Sequence, residues 1–359
     1  MGIHGGDIYK NQVKLDFSTN VNPLGIPGTV KKAMHDAVEI CGNYPDIEAE
    51  RLKNAVSRML GVSKKWLLFG NGASELFLAI VHAVRPKKIV IPVPSFFGYE
   101  YAAQAAGSEI VYYKMTQEND FRIQEDFFEL LTEDVDMLFL ANPNNPTGKL
   151  QDQKELEHLF RHCQNQGIYV VFDECFIEFS GARFSMFSKL QQYDHLVLIR
   201  AFTKIFSIPG VRLGYLICSN HQLLAKTAGQ LPEWNLSCIA QEAGCACAAQ
   251  TAFISETEQY VCKERQFLEK ELKKRGFMIF PSMANFILFY IKEAEGEKTL
   301  YESLLEKEIL IRDCRNFRGL GPGYYRIAVK SRRENECLLE GLNESIRVSI
   351  TGRNRKTQL

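Results

Sequence analysis

The chain has 359 residues, of which 46% are hydrophobic and 24% charged, the composition of an ordinary globular protein. Lysine plus arginine number 43, as do aspartate plus glutamate, so the formal net charge is zero. This balance argues against nucleic acid or an anionic membrane surface as the main partner. The length favours two domains over one.

Up to about residue 250, short apolar segments alternate with amphipathic ones. The apolar segments, rich in β-branched and aromatic residues, are residues 89–93, 109–113, 137–141, 169–172, 196–199 and 214–218. Their continuous apolar character predicts strands buried on both faces of a mainly parallel sheet. Amphipathic segments such as residues 154–166 predict helices on both faces of that sheet.

After about residue 250 the order of elements changes. A long charged helix is predicted at residues 255–275, strands at 277–280, 284–291, 309–312 and 324–329, and a last helix from 333. This order predicts a smaller α+β domain. We therefore expect a large domain of residues 26–250, and a small domain of residues 251–359 joined by a turn-rich N-terminal arm, residues 1–25, that packs between the two.

The sequence contains no run of 18 apolar residues. It does not begin with a charged segment followed by an apolar one. We therefore expect a cytoplasmic protein that does not bind membranes. The ten cysteines are scattered mainly through apolar segments. Cys245 and Cys247 are close together, but no second pair or nearby histidines complete a ligand set, so the sequence predicts reduced core thiols and no metal site.

Polar residues follow three successive predicted strands. The first strand leads into Asn-Pro-Asn-Asn-Pro-Thr-Gly at residues 142–148, the next ends at Asp173, and the third leads to Lys204 and Arg212. Each motif alone is weak, because asparagine-rich segments are common turns and an aspartate often caps a helix. Ligands bind beyond the carboxyl ends of strands in α/β sheets, so together these residues predict one polar site at that edge.

A glycine-rich turn, Gly70-Asn71-Gly72-Ala73-Ser74, follows the apolar run at residues 66–69 and opens a predicted helix. A helix N-terminus presents free N–H groups and the positive end of the helix dipole. The turn therefore predicts a phosphate-binding site.

Together these motifs resemble the fold-type-I family of pyridoxal-phosphate enzymes over nearly the whole chain. The resemblance implies an α/β fold with a mainly parallel seven-stranded sheet plus a small α+β domain, and pyridoxal 5′-phosphate as the cofactor. Lys204 matches the lysine that carries the cofactor as a Schiff base. Asp173 matches the carboxylate that keeps the pyridine nitrogen protonated. We expect desolvation and the nearby Arg212 to lower the pKa of Lys204.

The other cofactor contacts implied by the resemblance surround the phosphate and the ring. Those expected at the phosphate are Gly72, Ala73, Ser74, Thr203 and Arg212. Asn145 matches the amide that hydrogen-bonds the phenolic oxygen, and Phe96 matches the aromatic residue on the ring face. Phe176 is also expected to contact the cofactor, at a position where aminotransferases usually place a tyrosine that touches the phenolic oxygen. Ala201 stands where relatives carry Ser or Thr, so one hydroxyl contact to the phosphate is missing.

Tyr44 matches a tyrosine that reaches the cofactor phosphate of the partner subunit. The resemblance therefore implies a homodimer with shared active sites.

Two branches of the family share further motifs with the chain, namely the L-threonine-O-3-phosphate decarboxylases of cobalamin biosynthesis and the histidinol-phosphate aminotransferases. The opening His4-Gly5-Gly6, residues 16–25, Phe176 and the segments around Arg312 and Arg326 resemble the decarboxylases. We therefore expect decarboxylation of L-threonine O-3-phosphate to (R)-1-aminopropan-2-yl phosphate and CO2. An aminotransferase acting on histidinol phosphate or an aromatic amino acid is the alternative.

The substrate is expected to be a small phosphorylated amino acid. Arg312 and Arg326 offer forked donors that suit a carboxylate and a phosphate, and which anion each one binds is left open. The resemblance adds further substrate contacts, namely His4, Gly5, Asn20 and Asn145.

Overall fold

The structure of the protein is a computed structural model that describes residues 5–293, 296 and 298–356, with side chains as far as residue 345. The strands in chain order are β1 (Leu15–Asp16), β2 (Leu67–Gly70), β3 (Lys88–Val93), β4 (Glu109–Lys114), β5 (Met137–Ala141), β6 (Tyr169–Asp173), β7 (Leu196–Ala201), β8 (Gly214–Ile217), β9 (Met278–Phe280), β10 (Phe286–Tyr290), β11 (Ile309–Leu310), β12 (Arg312–Asp313) and β13 (Tyr324–Ala328).

The α-helices in chain order are α1 (Gly28–Val38), α2 (Glu50–Leu60), α3 (Ala73–Val84), α4 (Phe97–Ala105), α5 (Gln153–Gln166), α6 (Phe202–Ile205), α7 (His221–Ala228), α8 (Cys238–Ala248), α9 (Thr251–Lys274), α10 (Leu300–Leu305) and α11 (Arg332–Lys356). Among the described helices, none combines the length and the hydrophobicity of a membrane-spanning segment.

Seven strands form the large sheet, in the order β2-β8-β7-β6-β5-β3-β4. Strands β7, β6, β5, β3 and β4 run parallel to one another, and β8 runs antiparallel to both β2 and β7. Every residue of β5 and of β7 is buried, because helices and loops cover both faces of the sheet. The mainly parallel sheet expected from the sequence is confirmed.

The carboxyl ends of β5, β6 and β7 lie at the same edge of this sheet because the three strands are parallel. The asparagine-rich turn follows β5, and Asp173 is the last residue of β6. The four-residue helix α6, which contains Lys204, follows β7 directly. The chain topology therefore brings the three predicted polar segments to one place.

Four antiparallel strands form the small sheet, in the order β12-β13-β10-β9. The prediction of one strand at residues 309–312 is wrong, because the chain changes sheets at Ile311. Ile309 and Leu310 pair in parallel with β1, whereas Arg312 pairs with Arg326 in β13. A second pairing partner, the N-terminal strand, divides what the sequence presents as one apolar run.

The N-terminal arm contacts both the large-sheet and the small-sheet parts of the chain. The side-chain amide of Asn22 donates to the carbonyl oxygen of Ile205 at 2.7 Å and to the hydroxyl of Thr257 at 2.8 Å. The backbone N–H of Ala328 donates to the carbonyl oxygen of Phe17 at 2.8 Å. The domain boundary at residues 250 and 251 stays a prediction, and α9 begins at Thr251.

Candidate active site

A cavity of about 770 Å³ opens at the carboxyl edge of the large sheet. Every predicted site residue within the described part of the chain lines it, except Tyr44. His4 lies outside the described residues. The walls come from the ends of β5, β6 and β7, the start of α3, the N-terminal arm and the segment from Arg312 to Arg326.

The start of α3 forms one end of the cavity. Gly72 precedes the helix with φ of +74°, and among the described residues no side chain caps its first turn. A Cβ at Gly72 would lie 2.7 Å from Nη2 of Arg212, so only glycine allows the guanidinium to approach so closely. The N–H groups at Ala73 and Ser74 and the Arg212 cation therefore offer a phosphate-binding end.

Thr203 also lines the cavity and is buried. Gly214 of β8 packs tightly against the α3 turn, since a Cβ there would lie 2.7 Å from the backbone nitrogen of Ala73. The turn is therefore held against the sheet by close backbone packing. Ala201 lines the cavity with a methyl group only, so the missing hydroxyl noted in the sequence is a feature of the folded site.

Asp173 presents a buried carboxylate, 8% exposed, to the cavity. Burial raises its pKa above the usual range, whereas hydrogen bonds from the Cys175 and Tyr99 side chains act in the opposite direction. The Tyr99 hydroxyl donates to Oδ2 at 2.5 Å and the backbone N–H of Cys175 donates to Oδ1 at 2.8 Å. A cation placed beside this carboxylate would offset its burial, as a protonated pyridine nitrogen would.

Lys204 lies half-buried in α6 and faces the cavity. Burial lowers the pKa of its amine to about 8, and the positive charges of Arg326 and Arg212 act in the same direction. The sequence pointed to Arg212 as the neighbouring charge, but Arg326 has the larger effect. An amine with this pKa is partly neutral near neutral pH and can act as a nucleophile or move a proton.

Two aromatic residues, Phe96 and Phe176, line the cavity. Phe96 precedes α4, and a Cβ at Gly98 would collide with its ring, so glycine at that position makes room for the Phe96 side chain. Phe176 is buried and packs edge-on against Phe286 of β10, with ring centroids 5.1 Å apart. The site therefore has apolar surfaces suited to a flat aromatic ring, with polar groups at its edges.

Arg326 is buried at the side of the cavity formed by the small sheet. Its guanidinium donates to the side-chain oxygen of Asn145 and, at 3.0 Å, to the carbonyl oxygen of Ser18. Both acceptors are neutral, and within the described residues no carboxylate forms an ion pair with Arg326. Burial lowers the pKa of Arg326 to about 10, and the positive charge of Arg312 acts in the same direction.

Arg312 is also buried and lines the same cavity. Its Nη2 donates to the side-chain oxygen of Asn316 at 2.7 Å, and its guanidinium carbon lies 5.1 Å from the centroid of the Phe317 ring. In the β12–β13 ladder, Arg312 is directly opposite Arg326. Two arginines thus project from one short stretch of sheet into one cavity.

The N-terminal arm supplies the last predicted contacts. Asn20 is buried, and its side-chain oxygen has no hydrogen-bond partner within the described part of the chain. A Cβ at Gly5 would collide with the carbonyl oxygen of Ser18, so the backbone of the arm packs closely on itself at the cavity wall. Both residues are available to a ligand, and their roles as substrate contacts stay predictions.

Tyr44 lies away from the cavity. It follows α1, is 82% exposed and packs against Trp234, with ring centroids 5.0 Å apart. A role at the cofactor of this same chain is therefore excluded by position. Its predicted contact with a partner subunit stays a prediction.

Sequence reasoning missed several residues of the cavity. Tyr99 hydrogen-bonds Asp173, Ser18 hydrogen-bonds Arg326, and residues 315–320 also line the cavity. Tyr99 lies one helical turn after Phe96, a spacing that could have indicated a shared site. Arg318 links the segment at residues 315–320 to α4, because its Nη2 lies 3.0 Å from Oε1 of Glu100.

The chain matches the family described as "Aminotransferase class I and II" over residues 12–342. It belongs to that family. A threonine-phosphate decarboxylase of Salmonella typhimurium is 32% identical over 348 residues, with 94% of this chain and 95% of that protein covered. The crystal structure of the histidinol-phosphate aminotransferase from Clostridium acetobutylicum is 35% identical, with a TM-score of 0.85 and with 91% of this chain and 98% of that chain covered.

A third relative is an adenosylcobalamin biosynthesis bifunctional protein of Leptospira interrogans, 32% identical over 359 residues, with 95% of this chain and 40% of that protein covered. As a member of the aminotransferase class I and II family, the protein is an enzyme that uses pyridoxal 5′-phosphate. The cavity fits this cofactor, because it combines an uncapped helix start beside an arginine, a buried carboxylate and a lysine of lowered pKa.

Proposed function

We propose that the enzyme decarboxylates L-threonine O-3-phosphate to (R)-1-aminopropan-2-yl phosphate for cobalamin biosynthesis. The observation that carries the proposal is the pair of buried arginines, Arg312 and Arg326, opposite each other in the small sheet and facing one cavity. Two buried cations favour a ligand with two anionic groups, and phosphothreonine carries a carboxylate and a phosphate. Histidinol phosphate carries only the phosphate.

The energetic reason lies in burial. The pKa of Arg326 falls to about 10 because its guanidinium is removed from water and lies near Arg312. An isolated buried charge is costly, and a bound anion relieves that cost. The neutral hydrogen bonds of Arg326 to Asn145 and Ser18 orient the guanidinium without neutralising it. Arg326 is thus held in place and still positive for an incoming carboxylate or phosphate.

Bound pyridoxal phosphate supplies an electron-accepting ring. Asp173 would hold a proton at the pyridine nitrogen, and Tyr99 and Cys175 fix the orientation of this carboxylate. Lys204 would provide the covalent attachment point and then donate the proton that replaces the lost carboxylate at Cα, which its pKa of about 8 permits.

The arginines would decide which bond of the substrate reacts. Because each arginine would hold one anionic group of the substrate, together they would fix the rotation about the bond between Cα and the amino nitrogen. A decarboxylase must hold the bond from Cα to the carboxylate carbon perpendicular to the plane of the ring. An aminotransferase must instead hold the Cα–H bond in that orientation. Residues 315–320 also line the cavity and would help to exclude water while the carboxylate is held.

The second candidate is an aminotransferase acting on histidinol phosphate or an aromatic amino acid. It is favoured by the Clostridium acetobutylicum structure, which is 35% identical. An amino-group acceptor such as 2-oxoglutarate also carries two anionic groups and fits two arginines. Phe176 argues the other way, because it offers no hydroxyl where the aminotransferases usually have one.

Product analysis separates the two candidates. The holoenzyme is incubated with phosphothreonine alone, and in parallel with histidinol phosphate or phenylalanine plus 2-oxoglutarate. We expect CO2 and 1-aminopropan-2-yl phosphate from the first mixture, and little or no glutamate from the others. Glutamate formation without CO2 release from phosphothreonine would replace the decarboxylase with the aminotransferase.

A further inference from the structure

Cys41 and Cys238 lie outside the active-site cavity, with their sulfur atoms 3.1 Å apart. Cys41 follows α1 and is exposed, and Cys238 is the first residue of α8 and half-buried. They are 197 positions apart in the sequence, so the packing of α1 against α8 brings them together. The expectation that the cysteines are core thiols is wrong for Cys41.

We propose that Cys41 and Cys238 are a reversible dithiol–disulfide pair that exchanges with small disulfides such as glutathione disulfide. The Cys238 thiolate attacks one sulfur of glutathione disulfide, forms a mixed disulfide and releases one glutathione. The Cys41 thiolate then attacks the Cys238 sulfur and releases the second glutathione. The two thiol protons pass to the two departing glutathione thiolates, so two protein thiols are oxidised as one glutathione disulfide is reduced.

The surroundings assign the order of attack. A hydrogen bond with Cys238 raises the pKa of the Cys41 thiol above its ordinary value, which makes Cys41 the second rather than the first nucleophile. Cys238 is the first residue of α8, so its sulfur lies at the start of that helix. Both sulfur atoms also lie near the carbonyl oxygen of Ala37, at 3.4 Å from Cys41 and 3.7 Å from Cys238.

Oxidation would tether the loop between α1 and α2. Within this loop, Tyr44 packs against Trp234, and the carbonyl oxygen of Asp46 accepts a 2.8 Å hydrogen bond from Gln241 of α8. These two contacts hold the later part of the loop to α8 and to Trp234, which precedes α8 in the chain. A covalent bond at Cys41 would fix its beginning as well, and so restrict the exposed Tyr44 side chain.

The test uses the holoenzyme equilibrated in buffers of defined glutathione to glutathione disulfide ratio. Remaining thiols are alkylated, and peptides are mapped by mass spectrometry without reduction. We expect one cross-linked peptide pair that joins Cys41 to Cys238, that disappears on adding dithiothreitol and that is absent from the Cys41→Ser and Cys238→Ser variants. The matched control is Cys262→Ser, which removes a half-buried cysteine and leaves the pair intact.

Glutathione attached singly to Cys41 or Cys238, without the internal cross-link at any ratio, would overturn the proposal. Hydrogen exchange of the oxidised and reduced wild-type protein tests the tether. Exchange at residues 39–47 should slow on oxidation in the wild type and in Cys262→Ser, and should not change in Cys41→Ser. Equal exchange in the oxidised and reduced wild type would refute the restriction of this loop.

Discussion

The hydroxyl of Tyr99 donates a 2.5 Å hydrogen bond to Oδ2 of Asp173, and both groups are buried. The tyrosine ring is itself held by Phe139, against which it stacks with centroids 5.1 Å apart, and by Phe96, which it meets edge-on. The residue expected to cover the cofactor ring and the residue expected to bind its nitrogen are therefore connected through one side chain.

Removing the Tyr99 hydroxyl should leave the Asp173 carboxylate in place but take away one of its hydrogen bonds. We expect Tyr99→Phe to lower kcat/KM by roughly 10- to 150-fold, because a hydrogen bond to a charged group contributes roughly 1.5–3 kcal/mol. Asp173→Asn should lower it more, by roughly 10²–10⁴. Steady-state kinetics check both values. Tyr193→Phe is the control, since its hydroxyl donates to the carbonyl oxygen of Glu157 and does not contact Asp173. An equal loss in the control would contradict the assignment.

The reactivity of Lys204 should depend on pH in a defined direction. The neutral amine is the nucleophile, so the rate of cofactor attachment to the apoenzyme should rise with pH through about 8 and then level off. Removing the Arg326 charge raises the pKa of Lys204, so the midpoint in Arg326→Leu should move to higher pH. Borohydride trapping followed by mass spectrometry of the Lys204 peptide measures the attachment.

Two controls accompany that measurement. Arg122→Leu removes an exposed arginine that pairs with Asp120, and should leave the midpoint unchanged. Lys204→Ala should trap no cofactor, and a borohydride-stable adduct in that variant would show that another residue carries the cofactor.

Gly72→Ala should weaken cofactor binding. The added methyl group would collide with the Arg212 guanidinium at the phosphate-binding end, and the positive φ of +74° adds backbone strain of about 1–2 kcal/mol. Gly61→Ala is a matched control, because Gly61 has a similar φ of +69° and a Cβ there would meet nothing within 4 Å. Fluorescence titration with pyridoxal phosphate should show weaker binding only for Gly72→Ala, while thermal unfolding should show a loss of stability for both.

Loss of either cavity arginine should affect the substrate more than the cofactor. Arg312→Ala and Arg326→Ala each leave a substrate anion unpaired, which should cost roughly 2–5 kcal/mol in kcat/KM. The visible absorption of the bound cofactor should survive both changes. Arg122→Ala is the control for a general effect of losing an arginine. Unaltered kinetics in both cavity variants would remove the basis of the two-anion substrate.

The predicted dimer gives Tyr44 a measurable role. If it reaches the partner's cofactor phosphate, Tyr44→Phe should weaken cofactor binding while sedimentation still shows a dimer. Tyr101→Phe, a change at another exposed tyrosine, should leave binding unchanged. A monomeric wild-type enzyme with full activity at low concentration would refute the shared site.

Much of the site follows from the sequence because parallel strands deliver their ends to one edge. Asn145, Asp173 and Lys204 each follow or end a buried apolar segment, and local patterns suffice to place them. Tyr99 was missed because an aromatic residue in an amphipathic helix is usually a core residue, and its bond to Asp173 joins positions 74 apart.

Pairing between segments far apart in the sequence also limits what the sequence can predict. The change of sheet at Ile311 depends on β1, and nothing in the apolar run at residues 309–312 indicates that a strand from the other end of the chain will pair with its first half. The contact between Cys41 and Cys238 could not be predicted for the same reason, since the two residues are 197 positions apart. Periodicity reports which residues are buried, but not which distant segment buries them.

The pairing of β1 with β11 also bears on the order in which the enzyme is made. Leu15 cannot pair until Ile309 has been synthesised, because Ile309 is its partner in the sheet. Arg312, which lines the cavity, follows Ile309 by three residues. During synthesis the large sheet can assemble as it leaves the ribosome, since its seven strands are complete at Ile217. The place for the cofactor phosphate can thus form early, whereas the two arginines arrive only after most of the chain has emerged. A nascent chain could therefore gain the cofactor end of its site well before it can bind a substrate.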